Sequence, residues 1–272
     1  MSFPERPVTF LTDFGYSDEF AGVVRAVITR VNPELTVVDL THGIEPGDVR
    51  RGALSLAASV PFASPSVHLA VVDPGVGTGR RAVALAAGEH FLVGPDNGLL
   101  WLAGERLGGI GEAVEISASP YRLTPTHKTF HGRDVFGPVA AHLASGVPLS
   151  EVGDPIAVET LTRLDLPRPR LEGELLVGHV LGADRFGNLS LNIDGELIAR
   201  SFLSTGRRVA AETGGPVVTE IVFGTTFGDV EEGEPVLLPD SSGSLALAVN
   251  QGDAAARFDL GPDDEISLTP LV

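Results

Sequence analysis

Between Val8 and about Gly146 the apolar residues keep changing period. Short apolar runs at Val8–Leu11, Leu35–Leu40, Val67–Val72, Val83–Ala87 and Phe91–Val93 have the length of strands. Between them, Phe20–Val31, Asp48–Val60, Leu99–Leu107 and Val135–Ala144 carry apolar residues near helical spacing. Asn32-Pro33 closes the first of these helices and Pro61 the second. Val83–Ala87 and Phe91–Val93 are close enough to form a hairpin, while the polar stretch Ser117–Lys128, with Pro120 and Pro125, reads as a loop. Strands alternating with helices predict an α/β/α layered domain with a largely parallel central sheet.

The rhythm changes at TLTRLDLPRPR, Thr160 to Arg170, where two prolines flanked by charge predict a linker. From Leu171 onward only strands are predicted: Leu175–Leu181, Leu189–Ile193, Arg208–Ala211, Val217–Phe223, Pro235–Leu238, Ser244–Val249 and Glu265–Leu271. Gly, Asp and Asn punctuate them, as in a small antiparallel β-barrel-like domain. The expected organisation is therefore an α/β domain over 1–159, a linker over 160–170 and an all-β domain over 171–272.

Composition narrows the function classes. The 272 residues hold 36 acids against 19 bases, a formal charge of −17, which argues against a nucleic-acid or anionic-membrane partner. There is no cysteine, so disulfides, thiolate metal sites and a cysteine nucleophile are excluded. The first residues lack the basic-then-apolar pattern of a secretory leader, and no uninterrupted apolar run reaches the ~18 residues of a membrane span. The expectation is a soluble cytoplasmic protein. The seven histidines show no metal-ligand spacing, so no metal is expected.

In an open α/β sheet, ligands bind beyond the carboxyl ends of the strands. Asp13 follows the first apolar run, Asp39 to His42 end the second, Asp73 follows the third, and Asp96-Asn97 follow Phe91–Val93. His131 and Arg133 precede the last helix of this half. Asp13-Phe14-Gly15 spells the kinase DFG, but no Gly-rich loop or strand lysine precedes it and the HRD-like His131–Asp134 comes after it, so the kinase reading is dropped. Asp13 suits either a helix cap or Asx-turn, or a carboxylate gripping a ribose diol. VVDPGVGTGRR, Val71 to Arg81, is neither a P-loop nor a dinucleotide fingerprint. It is either a turn or a loop that folds Asp73 and Arg80 toward each other. His131 is either a helix cap or a group that takes a proton or positions water. In the second half, Asp184 and Asn188 in ADRFGNLSLNID, Phe227 in FGTTFGDV, and Ser241, Val249 and Asn250 in PDSSGSLALAVNQGDAA sit where turns meet strands. Taken singly, each is turn chemistry.

Taken in order, TDFG (12–15), VVDPGVGTGRR (71–81), GPDNGLL (94–100), TFHGRDVFGPVAAHL (129–143), FGN (186–188) and LALAVNQG (245–252) resemble the S-adenosyl-L-methionine hydroxide adenosyltransferase family, which is related to the bacterial fluorinase and chlorinase. The likeness spans nearly the whole chain. It implies an N-terminal α/β domain, a C-terminal barrel-like domain, and a homotrimer whose sites lie between the N-domain of one subunit and the C-domain of the next. It implies that water attacks C5′ of S-adenosylmethionine, giving adenosine and methionine, with no cofactor. Asp73, Arg80 and His131 match the water-activating triad, and Asp13 the ribose-binding carboxylate. Asn188 and Phe227 match adenine contacts, Ser241 and Val249 fall where relatives also contact the nucleoside, and Asn97, Asp184 and Asn250 complete the expected substrate-binding set. The halogenases carry other residues at the Asp73 and Arg80 positions and a longer insertion where this chain has only Gly88-Glu89-His90. A carboxylate at Asp73 would repel halide, so water is the expected nucleophile. Relatives often carry an acid at the Ala246 position, and an arginine at the Ser242 position is typical of the halogenases.

Rival classes are a non-catalytic module that binds adenosine or S-adenosylmethionine, a halide-using adenosyl transferase, a purely structural trimer, and a metal-dependent phosphohydrolase. The first requires a broken triad, and here all three positions are filled.

Overall fold

A computed structural model describes residues 6–214 and 218–271. The chain divides into two compact units, Met1–Leu164 and Asp165–Val272. In the first, the order is β1 (Val8–Thr12), α1 (Phe20–Val31), β2 (Val37–Thr41), α2 (Val49–Ser59), β3 (Val67–Val71), β4 (Ala82–Ala87), β5 (His90–Pro95), α3 (Trp101–Arg106), β6 (Ile110–Glu115), α4 (Gly137–Ala144), α5 (Leu149–Val152) and β7 (Asp154–Pro155). The sheet runs β2-β1-β3-β5-β4-β6-β7. The pairs joining β2, β1, β3 and β5 are parallel, and those joining β5, β4, β6 and β7 antiparallel. Five of the seven strands consequently point one way, with only β4 and β7 reversed.

Period-two alternation divides this sheet between two cores. Val8, Phe10, Val67, Leu69, Val71, Ala82 and Ala84 pack on one side with Val24 and Ile28 of α1 and with α4. Leu11, Ala70, Val83 and Leu85 pack on the other with Ala53 and Leu56 of α2 and with Ala103 of α3. Both faces being covered explains why the strands read as continuous apolar runs. Asp48 caps α2, accepting from Arg51 N at 2.8 Å. Close packing also depends on small residues: a Cβ on Gly52 of α2 would lie 2.8 Å from Leu99 Cδ1.

The predicted helix over Val135–Ala144 begins earlier than expected, with a wide π turn at Gly132–Phe136 that runs into α4. Strand β6 was not predicted; its two glutamates and leading glycines hide a short strand between β4 and β7.

The second unit holds β8 (Arg170–Glu172), β9 (Leu175–Ala183), β10 (Leu189–Asp194), α6 (Gly195–Arg200), β11 (Arg208–Glu212), β12 (Val218–Phe223), β13 (Pro235–Pro239), β14 (Ser244–Val249), α7 (Ala254–Phe258) and β15 (Glu265–Pro270). The order β10-β14-β13-β12-β11-β15-β9-β8, with β10 also paired to β9, closes a barrel. Leu176, Leu189, Leu191, Ile193, Leu247 and Ile266 fill its interior. Two expectations are corrected. The half is not all strand, since α6 and α7 are helices capped by Asp194 and Asp253, each too short to show a helical period. One pair, β12 with β13, is parallel, which forces the long connection carrying Phe227. Val217, expected to begin a strand, lies outside the described residues.

Candidate active site

The first unit brings together what the sequence scatters. Asp73 follows β3, and the glycine-rich loop after it turns back so that Arg80 meets Asp73. Nε of Arg80 donates to Asp73 Oδ1 at 2.9 Å and Oδ2 at 3.1 Å, and Nη2 donates to Oδ2 as well. The same Nη2 lies 2.9 Å from Nδ1 of His131. The guanidinium sits 5.1 Å from the ring centroid of Phe136, a cation–π contact that the sequence did not signal. Both charged side chains are nearly buried, at 11% exposure for Arg80 and 6% for Asp73. The loop is a turn that also brings Asp73 and Arg80 together: Val76 N and Thr78 N bond back to Asp73 O and Gly75 O, and the ends converge.

His131 does not cap its helix; its ring bonds Arg80 instead. A guanidinium has donors only, so Nδ1 must accept and the neutral ring carries its proton on Nε2. Burial lowers the His131 pKa below the usual histidine value and the Arg80 charge lowers it further, against the opposing pull of Asp73 and Asp134. The segment bearing His131 is held by Asp134, which is buried and accepts from His127 N at 2.7 Å and from Arg133 Nε at 2.6 Å. It also abuts the glycine-rich loop: Gly77 has φ +79°, and a Cβ there would lie 2.7 Å from Lys128 O.

Asp13 leaves β1 on a loop and caps no helix. Its Oδ2 accepts from Gly47 N at 2.8 Å. Burial raises its pKa above the ordinary carboxylate value; the Gly47 bond opposes the rise and the nearby negative charge of Asp73 adds to it. In sequence Gly47 carries only the turn signal Pro46-Gly47. Its φ of +79° presents the N–H to Asp13. Phe14, next to Asp13, packs at Gly132, next to His131. Asp13, Asp73, Arg80 and His131 therefore form one constellation at the carboxyl edge of the sheet, with one formal negative charge when both carboxylates are ionised and the imidazole is neutral. Asn97 stands behind it, donating to Val72 O at 2.9 Å and accepting from Leu99 N at 3.2 Å, and so fixes the end of β3 from which Asp73 departs.

In the second unit, Asp184 has both oxygens engaged in its own loop: Oδ1 accepts from Phe186 N and Asn188 N, and Oδ2 from Asn188 Nδ2 at 2.8 Å. This sets the orientation of the Asn188 amide. Asn250 Nδ2 donates to Val230 O at 2.9 Å, tying down the connection that carries the 44%-exposed Phe227. Val249 points its side chain into the barrel core, leaving its backbone at the rim. Ser241 sits at an exposed turn organised by Asp240, which accepts from Ser242 N and Ser244 N. Register pairs Leu189 with Leu247 and Asp194 with Ser244. Asn188 and Asn250 therefore lie at one end of the β10–β14 ladder and Ser241 at the other, roughly 17 Å apart along the strands at ~3.4 Å per residue.

Among the described residues no group of three or more His, Cys, Asp or Glu has a metal-holding arrangement, and no helix is long and apolar enough to cross a membrane.

The chain is 45% identical over 262 residues to the (R)-S-adenosyl-L-methionine hydrolase of Salinispora tropica, covering 96% of this chain and 97% of that protein. It is 43% identical to the protein of the same name from Thermus thermophilus, covering 94% and 96%. A crystal structure of a conserved protein from Thermotoga maritima superposes with a TM-score of 0.90 at 38% identity, covering 96% and 99%. Residues 8–153 match the SAM hydroxide adenosyltransferase N-terminal domain and residues 178–267 the C-terminal domain of the same name. With both halves matched in order, and the Asp73–Arg80–His131 cluster assembled inside the first, the chain belongs to the SAM hydroxide adenosyltransferase family.

Proposed function

We propose that this protein hydrolyses S-adenosyl-L-methionine by attack of water at C5′, releasing adenosine, L-methionine and a proton. The observation that carries this reading is the Arg80 guanidinium held against both Asp73 and His131. The sulfonium is already a good leaving group. A C5′–O bond forms as the C5′–S bond breaks, and the electron pair returns to a neutral thioether. The chemistry lacks only a competent nucleophile.

Arg80 has no acceptor, and Nδ1 of His131 is occupied, so of the three only Asp73 retains a lone pair for the water proton. His131 donates its Nε2–H to the water oxygen and fixes its direction. Arg80 stabilises the hydroxide character that develops. Asp13 holds the ribose hydroxyls and so sets C5′ in line with the water. The net negative charge of the constellation favours a cationic sulfonium and disfavours halide. The separated polar ends of the β10–β14 ladder suit an elongated ligand, with the adenine near Asn188, Phe227 and the backbone of Val249 and Asn250, and Ser241 at the other end of the ladder. Asp184 and Asn97 act through Asn188 and Asp73.

The proposed assembly is a homotrimer in which the first unit of one protomer and the second unit of another complete each site. Mixing Asp73→Ala protein with Phe227→Ala protein then restores part of the activity that each lacks alone, and sedimentation reports three chains.

The direct test is incubation with S-adenosylmethionine in oxygen-18 water, read by mass spectrometry. Adenosine labelled at the 5′ oxygen, and absent with Asp73→Ala and His131→Ala, supports the reading. Unlabelled adenosine, or intact S-adenosylmethionine beside retained adenosine, rejects it in favour of another nucleophile or a binding module.

A further inference from the structure

His42 lies at the end of β2, buried to 2% exposure, and the reaction proposed above gives it no role. It is nevertheless bonded to the loop that carries Asp13 at three points. Nδ1 lies 2.8 Å from Oγ1 of the fully buried Thr12, the carbonyl accepts from Gly15 N at 2.8 Å, and the backbone N–H donates to the Tyr16 hydroxyl at 3.1 Å. Its ring also packs edge-on against Phe10 and Tyr16, with centroids 4.7 and 5.5 Å away. Thr12 Oγ1 accepts from Phe14 N at 3.1 Å and also shares a hydrogen bond with Nδ1 of His42. Nε2 lies 3.3 Å from Asp39 Oδ1, off hydrogen-bond alignment, so this contact is electrostatic. Asp39 is paired in turn with Arg25 at 2.9 Å.

The residues pinned are 12, 14, 15 and 16, those immediately around Asp13. One hydroxyl, Thr12 Oγ1, joins the His42 ring to the backbone on the far side of Asp13. We infer that His42, acting through Thr12, is a positioning residue that presents the Asp13 carboxylate to the ribose hydroxyls of the ligand. The inference rests on the ribose-binding role proposed for Asp13. It also accounts for the burial of the Thr12–His42 pair.

The test is calorimetric binding of adenosine and 2′,3′-dideoxyadenosine to the full-length protein. Wild type, Asp13→Asn, His42→Asn and the near-isosteric Thr12→Val are compared. A hydrogen-bonded carboxylate supports a wild-type preference for the diol of about 10- to 100-fold. The expected result is that Thr12→Val and His42→Asn lose most of that preference, as Asp13→Asn does, while dideoxyadenosine binding stays within about twofold. A merely structural role predicts that both ligands weaken by the same factor with the preference intact; that result overturns the inference, as does an unchanged preference with unchanged affinity. Thr12→Val removes one hydroxyl without changing shape, so it carries the test if His42→Asn does not fold. A wild type with no preference for the diol overturns the ribose role of Asp13 itself, which the variants' behaviour alone would not.

Discussion

Nη2 of Arg80 donates to Nδ1 of His131 across 2.9 Å, and this single contact decides which nitrogen of the histidine bears the proton. With Nδ1 accepting and the pKa lowered by burial and by Arg80, His131 is a neutral Nε2–H donor at neutral pH. Nitrogen-15 NMR of the histidine rings is expected to show His131 with a protonated Nε2 and an unprotonated Nδ1. Finding the opposite tautomer would remove the role given to it.

Arg80→Lys keeps the charge but not the fork. A lysine ammonium cannot bond both Asp73 oxygens in the plane that also reaches His131. A fall in kcat of about 100-fold or more is expected, in the range seen when one charge-stabilising donor is lost. The protein should stay folded by circular dichroism. Retention of kcat within about threefold would show that the constellation is only structural.

Asp13 is held at a cost to the fold. Its folded pKa is raised, so the native state binds its proton more readily than the unfolded chain. The sign follows: stability falls as pH rises from the unfolded pKa through the raised folded one, and above both the penalty is complete. Asp13→Asn should therefore raise the melting temperature at neutral pH while weakening adenosine binding about tenfold or more. In the wild type, kcat/KM should decline on the acid side as Asp13 gains its proton. A variant both less stable and unaltered in binding would contradict the assignment.

His68 supplies an acid-sensitive element away from the site. It is fully buried, with Nδ1 2.7 Å from Thr9 Oγ1 and Nε2 3.0 Å from His90 Nδ1, and burial, with a smaller contribution from His90, lowers its pKa from 6.5 to about 4. The unfolded chain takes up the proton first as pH falls. Stability is thus intact above about 6.5 and is lost progressively down to about 4, amounting to about 3 kcal/mol for this one group. Urea denaturation across that range should show the loss, and His68→Asn should flatten the slope whatever its effect at neutral pH.

Gly77→Ala tests how the glycine-rich loop sets the site. The added methyl would meet Lys128 O at 2.7 Å with φ held at +79°, an unfavourable region for any L side chain. A loss of about 2 kcal/mol is expected. Because Lys128 leads to His131, kcat should fall more than KM changes. Gly79→Ala, with open space around it, is the control.

Much of this was legible in the chain because the signals are local. Phe20–Val31 is a helix with the predicted bounds, since Val24 and Ile28 keep one face and Asn32-Pro33 stops it. The apolar runs at 8, 67 and 83 are strands because an interior strand needs side chains for two cores. The order of motifs that pointed to Asp13, Asp73, Arg80 and His131 is likewise a property of sequence alone. Short elements escaped notice: α6 and α7 span less than two turns, and β6 hides its period behind glycine and glutamate.

What only the tertiary structure decided is which partner each polar group found. Asp13 could equally have capped a helix or closed an Asx-turn; a backbone N–H 34 residues away, at Gly47, took it instead. Asp184 matched a ligand-binding position, yet its oxygens are engaged inside its own loop. His42, which sequence marked only as one of several polar residues at strand ends, lies behind Asp13 because strands β1 and β2 are parallel neighbours whose carboxyl ends must meet. Propensity and period act over a few residues, whereas hydrogen bonds and charges choose partners by distance in space, and that distance exists only once the sheet has formed.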